Sequence, residues 1–201
     1  MLDKIPDSKQ FCILPWIHFH ALPNKKVLPC CMANSDLPVS STDQASVIEM
    51  MNTDEYKELR RNMLAGVNSD CCNRCYDVER VGQWSLRQSA NAVRGHKNLD
   101  LINATQEDGT IDEFKLQYVD IRWSNICNFK CRSCGPEFSS LHAKEFIDHK
   151  GGQEKLKQYF RMDNMVVSCN ETGDFFDKVK PYLKDSDEVY FAGGESLITG
   201  E

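Results

Sequence analysis

Apolar residues recur at helical spacing in the first half of the chain. The clearest run is Tyr56, Leu59, Met63 and Leu64. Asn52 or Thr53 can cap this helix and Gly66 can end it, because these residue types satisfy or terminate the ends of helices. A second helix is predicted for about residues 77–93. The polar residues 103–112 then predict a linker, and we expect a domain boundary there.

The pattern changes after the linker. Residues 114–123 are rich in β-branched and aromatic side chains with approximate alternation, which predicts a strand. A helix is predicted from Phe138, Leu141, Phe146 and Ile147. Another, capped by Asp174 and kinked at Pro181, carries Phe175, Phe176, Val179 and Leu183. Residues 188–191 predict a second short strand. Strand, helix and strand in this order predict a parallel βαβ arrangement, in which functional sites lie beyond the C-terminal ends of the strands.

Composition narrows the class of protein. The chain has 201 residues, 41% of them apolar, and a net charge of −6. The apolar content is typical of a folded domain, and the negative charge does not favour a nucleic-acid partner. The N-terminus has no hydrophobic signal region and no stretch reaches eighteen apolar residues, so we expect a cytoplasmic protein without a membrane partner.

Ten cysteines in a chain without an export signal point to metal binding or catalysis, because reducing compartments keep thiols free. An early set contains Cys12, Cys30, Cys31, Cys71, Cys72 and Cys75. A late set contains Cys127, Cys131 and Cys134, and Cys169 stands alone. The late spacing gives a three-point grip on one short loop. If three thiolates hold a four-iron iron-sulfur cluster, one iron keeps an open position that can bind a substrate. This indicates a catalytic cluster rather than one that only transfers electrons.

The late segment resembles the radical S-adenosylmethionine superfamily, whose CxxxCxxC signature is met by Cys127, Cys131 and Cys134. That family also has a GGE motif after its second strand, and Gly193, Gly194 and Glu195 follow the second predicted strand. Ser133 and Ser196 depart from the usual aromatic residue and proline.

The resemblance implies a [4Fe-4S] cluster on the three cysteines, with S-adenosylmethionine contacted by Gly193, Gly194 and Glu195. It also implies reductive cleavage of that cofactor to a 5'-deoxyadenosyl radical, which abstracts hydrogen from a peptide, protein or small-molecule substrate without a catalytic side chain. The electron donor would be a protein such as flavodoxin or ferredoxin.

The early segment resembles the twitch domain, the shortened relative of the SPASM domain, in which a separated pair of cysteines is joined by a later CxxC. The resemblance implies an auxiliary [4Fe-4S] cluster on Cys12, Cys30, Cys72 and Cys75, with Cys31 and Cys71 as adjacent alternatives. Lys25 stands where the domain's pattern has a glycine, and the element precedes the radical domain instead of following it.

Zinc is the alternative at both sites, and it is the stronger alternative at the early one, since four thiolates also suit tetrahedral zinc. His18 and His20 are interpreted as strand or loop side chains, and Cys169 as a small buried hydrophobe. The other function class to consider is a non-catalytic cysteine-rich module that binds zinc or an iron-sulfur cluster.

The expected fold is therefore α/β: a cysteine-rich α+β auxiliary-cluster domain in residues 1–108, followed in residues 109–201 by the first βα units of a partial (β/α)6 barrel. A barrel of about six strands needs more chain than these residues offer. We therefore expect an N-terminal fragment, or a chain whose barrel is completed by a second polypeptide.

Overall fold

The computed structural model describes residue 6 and residues 9–171, 173–190 and 192–195. The predicted strand end at Phe191 and the departure at Ser196 lie outside these residues. The described α-helices are α1 (Leu14–Ile17), α2 (Val47–Met50), α3 (Asp54–Ala65), α4 (Asn73–Arg80), α5 (Leu86–Ala90), α6 (Leu99–Asn103), α7 (Ser140–Lys150), α8 (Gln153–Phe160) and α9 (Asp174–Val179). No helix in the described part of the chain is long and apolar enough to span a membrane.

The centre of the fold is a mixed sheet in the order β3-β2-β1-β4-β5. Its strands are β1 (His18–Ala21), β2 (Lys26–Leu28), β3 (Ser40–Ser41), β4 (Tyr118–Ile121) and β5 (Glu188–Val189). The first three strands form an antiparallel meander. β4 pairs in parallel with β1 and with β5. The mixed α/β class is confirmed, and β4 and β5 form the predicted parallel pair, whereas the start of a (β/α)6 barrel stays a prediction.

The chain segments before and after residue 108 share this sheet and one hydrophobic core. Phe19 and Ala21 of the early segment are fully buried with Val119 and Ile121 of the late one. The predicted linker also packs: Gly109, with φ of 89°, lies so close to α3 that a Cβ would stand 2.2 Å from the Lys57 backbone oxygen. Residues 103–112 are therefore not a loose connection. The division into domains 1–108 and 109–201 stays a prediction.

Helix α3 forms as the sequence predicts. The Thr53 side chain accepts a hydrogen bond from the Tyr56 backbone N–H, and Gly66 ends the helix with φ of 69°. Arg60, which the apolar pattern did not single out, is fully buried on the same helix. Its guanidinium donates to the backbone oxygens of Pro15, Met51 and Gly109, which ties α3 to three other segments.

The single helix predicted for residues 77–93 is wrong, because two helices separated by a turn occupy this region. α4 ends at Arg80, and Gly82 then adopts φ of 77°. Ser85 caps the start of α5 with a capping box. The Ser85 side chain accepts a hydrogen bond from the Gln88 backbone N–H, and the Gln88 side chain accepts one from the Ser85 backbone N–H. A glycine and a strong cap in succession favour a new helix over a continuous one.

Other predicted element boundaries also differ from those in the structure. The strand predicted for residues 114–123 is regular only over Tyr118–Ile121, where β1 and β5 supply partners. Asp174 is the first residue of α9 and Gly173 is the cap, so the predicted capping role of Asp174 is wrong. After α9 the chain tightens into a 3-10 turn over Lys180–Asp185, which contains Pro181.

Lys25 occupies the tight connection between β1 and β2 with φ of 68°, a left-handed conformation that glycine adopts without strain. This is the position at which the twitch pattern has a glycine. We therefore expect Lys25→Gly to be more stable than Lys25→Ala by about 0.5–1 kcal/mol, because alanine retains the strain of its Cβ. Both variants lose the exposed ion pair with Asp43 equally. Urea unfolding of the two variants measures the difference, and an alanine variant of equal or greater stability would contradict it.

Candidate functional site

The early cysteines come from three separate segments of the chain. Cys12 precedes α1, Cys30 follows β2, and Cys72 and Cys75 lie at the start of α4. All four border one small cavity, with a volume of about 20 Å³. The structure thus brings together the four residues that the sequence grouped, and their role as ligands stays a prediction.

The walls of this cavity are mainly apolar. Leu14, Met32, Met63 and Leu86 contribute to its lining. Burial raises the pKa of the Cys12 thiol to about 12, and burial also raises the pKa of Cys30. Contact with the Cys71 thiol, together with burial, raises the pKa of Cys72. Without a bound cation, the Cys12, Cys30 and Cys72 thiols are therefore neutral at pH 7.

Backbone hydrogen bonds hold the cysteine segments in place. The Asn34 N–H donates to the Cys71 oxygen over 2.9 Å, which joins the segment after Cys30 to the segment before α4. The Asn91 side chain accepts a hydrogen bond of 2.9 Å from the Ile13 N–H and donates one of 2.8 Å to the Phe11 oxygen. It therefore fixes the backbone on both sides of Cys12. Sequence reasoning missed Asn91, and no spacing or motif marks it.

Arg87 brings a positive charge to the edge of the cysteine cavity. It borders the cavity, and its guanidinium donates to the Phe11 oxygen over 2.8 Å. Nε of Arg87 also lies 2.9 Å from a carboxylate oxygen of Glu79. The side chains of this ion pair are only 8% and 12% exposed. Glu79 therefore balances the charge that Arg87 brings to the edge of the cavity.

The two adjacent cysteines take different positions. Cys31 is exposed and does not border the cavity. Cys71 is buried, with its sulfur 3.8 Å from that of Cys72, and it also does not border the cavity. Of the alternatives that the sequence left open, Cys30 and Cys72 border the cavity, and the choice of ligands stays a prediction.

The late cysteines lie on a loop that follows β4. Cys131 is exposed, and Cys127 and Cys134 are half-buried. The loop closes with a backbone hydrogen bond of 3.0 Å from Cys134 to Cys131. The start of α7 supports it, because Ser140 Oγ accepts from the Cys127 N–H over 3.2 Å and the His142 ring contacts the Cys131 oxygen at 3.0 Å. These supports from α7 were not predicted.

The GGE segment lies beside the start of this loop. The Gly194 N–H donates to the Ser124 oxygen over 2.9 Å, and the Glu195 N–H donates to the Ile126 oxygen over 2.7 Å. Gly194 approaches so closely that a Cβ would lie 2.1 Å from the Ile126 oxygen. Residues 193–195 therefore run directly beside the strand end that leads into Cys127.

The remaining candidate residues lie apart from the cavity. His18 and His20 are on β1 and do not border it. Cys169 is 4% exposed, in agreement with its interpretation as a small buried residue. Within the described ranges, no group of three or more His, Cys, Asp or Glu side chains is arranged to hold a single metal ion.

Comparison with known proteins gives one match. Neither the search of curated proteins nor the search of solved structures found a match to this chain. A family model for an iron-sulfur cluster-binding domain does match, and the matched region begins at Cys12 and includes Cys30, Cys72 and Cys75. Residues 12–76 thus match the SPASM iron-sulfur cluster-binding domain, an element that occurs in radical S-adenosylmethionine proteins.

Proposed function

We propose that this chain forms part or all of a radical S-adenosylmethionine enzyme with two iron-sulfur sites. The observation that carries the proposal is the pairing of Gly194 with Ser124 and of Glu195 with Ile126. It joins the GGE segment to the strand end that leads into the three late cysteines, the arrangement implied by the resemblance. The match of residues 12–76 to the SPASM domain independently supports iron-sulfur binding in the same chain.

The auxiliary site would be held by Cys12, Cys30, Cys72 and Cys75. Four soft sulfur donors around an apolar cavity suit an iron-sulfur cluster, in which each thiolate binds a different iron. Positions around a common space serve this purpose, whereas zinc requires four ligands at about 2.3 Å from one point. Cys12 and Cys75 are buried, and the charge of Arg87 is already balanced by Glu79.

The radical site would be held by Cys127, Cys131 and Cys134. A reduced [4Fe-4S] cluster bound there would supply the electron for reductive cleavage of S-adenosylmethionine. The chain's own contribution is positional: Ser140 and His142 of α7 hold the loop, while Gly194 permits the close approach of Glu195. Glu195 would accept hydrogen bonds from the cofactor's amino group. An electron donor of the flavodoxin or ferredoxin class would reduce the cluster.

Metal content tests the proposal. Anaerobically reconstituted chain is expected to contain about eight iron and eight sulfide atoms, as two [4Fe-4S] clusters require. Cys12→Ser is expected to reduce both numbers by about half, because it removes one ligand of the auxiliary site. Cys31→Ser is the matched control, since the neighbouring position does not border the cavity. Zinc without acid-labile sulfide would contradict the proposal.

A further inference from the structure

The face of the sheet opposite the core is polar. Phe19, Ala21, Val119 and Ile121 of β1 and β4 are buried in the core. Because side chains alternate along a strand, the intervening residues point to the other face. The parallel register sets His18 beside Tyr118 and His20 beside Asp120. The His18 and Tyr118 rings stack at 4.6 Å, in agreement with their position on one face.

Three of these polar side chains are almost completely buried. His18, His20 and Asp120 are 0%, 3% and 1% exposed. Neither the cysteine cavity nor the late loop uses them. Ionisable groups are seldom buried in this way unless each polar atom has a partner, because a buried polar atom without a hydrogen bond is destabilising.

His18 presents a buried acceptor that has no partner. Its Nδ1 lies 2.6 Å from the Tyr118 backbone oxygen, which can only accept, so Nδ1 carries the proton. The lone pair is then on Nε2, which is buried without a hydrogen bond. Burial lowers the pKa of His18 to about 4, so the ring is neutral at pH 7 and keeps this lone pair.

Asp120 presents further acceptors. Nδ1 of His20 lies 3.0 Å from Oδ2 of Asp120 and 3.1 Å from its backbone oxygen. One N–H cannot serve both acceptors well, and neither carboxylate oxygen has a hydrogen bond of good geometry. Burial opposes ionisation, but His20 and Arg122 outweigh it and lower the pKa of Asp120. A carboxylate anion is therefore held in the protein with its hydrogen-bonding capacity largely unused.

Arg122 is the nearest cation, and it does not satisfy Asp120. Its Nε lies 3.7 Å from Oδ1, too far for a hydrogen bond, and is itself buried without a partner. The Arg122 side chain is 23% exposed, so it borders both the polar face and solvent. Its guanidinium also lies over the Phe138 ring, 5.4 Å from the centroid, which provides another place for its charge.

We propose that this polar face is a binding site for a primary ammonium group of the substrate. An ammonium group has three N–H donors and no acceptor, and this face offers it the Nε2 of His18, the Oδ1 of Asp120 and, shared with the His20 ion pair, the Oδ2 of Asp120. The group enters by displacing the Arg122 side chain from the edge of the site. A neutral hydroxyl has one donor and no charge, so it satisfies Asp120 poorly.

The position of the polar face beside the GGE segment indicates what kind of molecule would carry the ammonium group. Arg122 lies directly beside the GGE segment, since a Cβ on Gly193 would be 3.4 Å from its Cα. The polar face therefore ends where the proposed cofactor contacts begin. That the bound molecule is a substrate rests on the proposed function, whereas recognition of ammonium rests on the contacts alone. Primary amines are the substrate class that fits these acceptors.

The probe is n-butylammonium, with 1-butanol as the neutral control of equal chain length. The full chain is labelled with ¹⁵N and kept anaerobic at pH 7, and the Nε2 chemical shift of His18 is followed during titration. We expect a saturable shift with butylammonium and none with butanol. Equal responses to the two probes, or a shift without saturation, would overturn the proposal.

Matched variants identify the groups that bind. Asp120→Asn keeps the shape and is expected to weaken butylammonium binding at least tenfold. Asp43→Asn, the same change at a carboxylate that is 66% exposed, is expected to leave it unchanged. His18→Asn retains a donor near the Tyr118 oxygen but removes Nε2, and weaker binding is expected there as well. Unchanged affinity in Asp120→Asn refutes the assignment.

Two further measurements separate ammonium binding from misfolding and from binding of the cofactor. Arg122→Gln removes the competing cation and is expected to tighten butylammonium binding at least twofold, a gain that misfolding cannot produce. Loss of binding in this variant would count against the site. Saturating S-adenosylmethionine is expected to leave the affinity unchanged, and competition would assign the site to the cofactor's own amino group. Since no arm requires cofactor cleavage, failure here and failure of the proposed enzyme activity are distinguishable.

Discussion

Replacing Cys131 with alanine is expected to abolish cleavage of S-adenosylmethionine while the auxiliary site remains loaded. Cys131 is the central residue of the three-cysteine loop and is exposed. A cluster held by only two thiolates loses the three-point grip that leaves a single iron open to the cofactor. The cavity bordered by Cys12, Cys30, Cys72 and Cys75 lies on other segments and is not altered.

The measurement combines 5'-deoxyadenosine after reduction with iron and sulfide content. Iron is expected to fall by about half, to one [4Fe-4S] cluster, and 5'-deoxyadenosine to fall below detection. Cys169→Ala is the control, because Cys169 is buried and is not assigned to either site. Undiminished 5'-deoxyadenosine from the Cys131 variant would rule out the role given to this loop.

Gly194→Ala is expected to lower cofactor cleavage at least tenfold without loss of either cluster. The added Cβ would lie 2.1 Å from the Ile126 oxygen, a distance that backbone atoms cannot tolerate. The GGE segment must then move away from the strand end, which breaks the 2.7 Å hydrogen bond from Glu195 to Ile126. Glu195 would no longer be aligned with the proposed position of the cofactor, and a shift of about 1 Å can cost about a hundredfold in rate.

Gly135→Ala is a close control for this variant. Gly135 follows Cys134 directly, but a Cβ placed there meets no atom within 4 Å. The substitution is therefore expected to leave both the clusters and cofactor cleavage unchanged. The two variants are compared by cluster absorbance, S-adenosylmethionine affinity and 5'-deoxyadenosine yield. Equal activity of Gly194→Ala and Gly135→Ala would show that the close approach of the GGE segment has no functional importance.

Much of the local structure was determined by the sequence itself. Helix α3 follows from its apolar spacing, Thr53 and Gly66, because caps and periodicity act within a few residues. The late cysteine loop and the parallel pair β4 and β5 follow from local spacing and strand order. The resemblance grouped Cys12, Cys30, Cys72 and Cys75 apart from the late cysteines, and the fold then places these four around one cavity.

Only the tertiary structure decided which distant residues meet. The pairing of β1 with β4 across about a hundred residues makes one sheet of the two predicted segments, and no local pattern encodes such a pairing. The same register turns His18, His20 and Asp120 into a buried cluster, although the sequence gives His18 and His20 no more than a strand or loop position. Long-range packing also places the Asn91 side chain against the backbone around Cys12. Spacing along the chain determines local form, whereas long-range packing determines the neighbours that give these polar side chains a site.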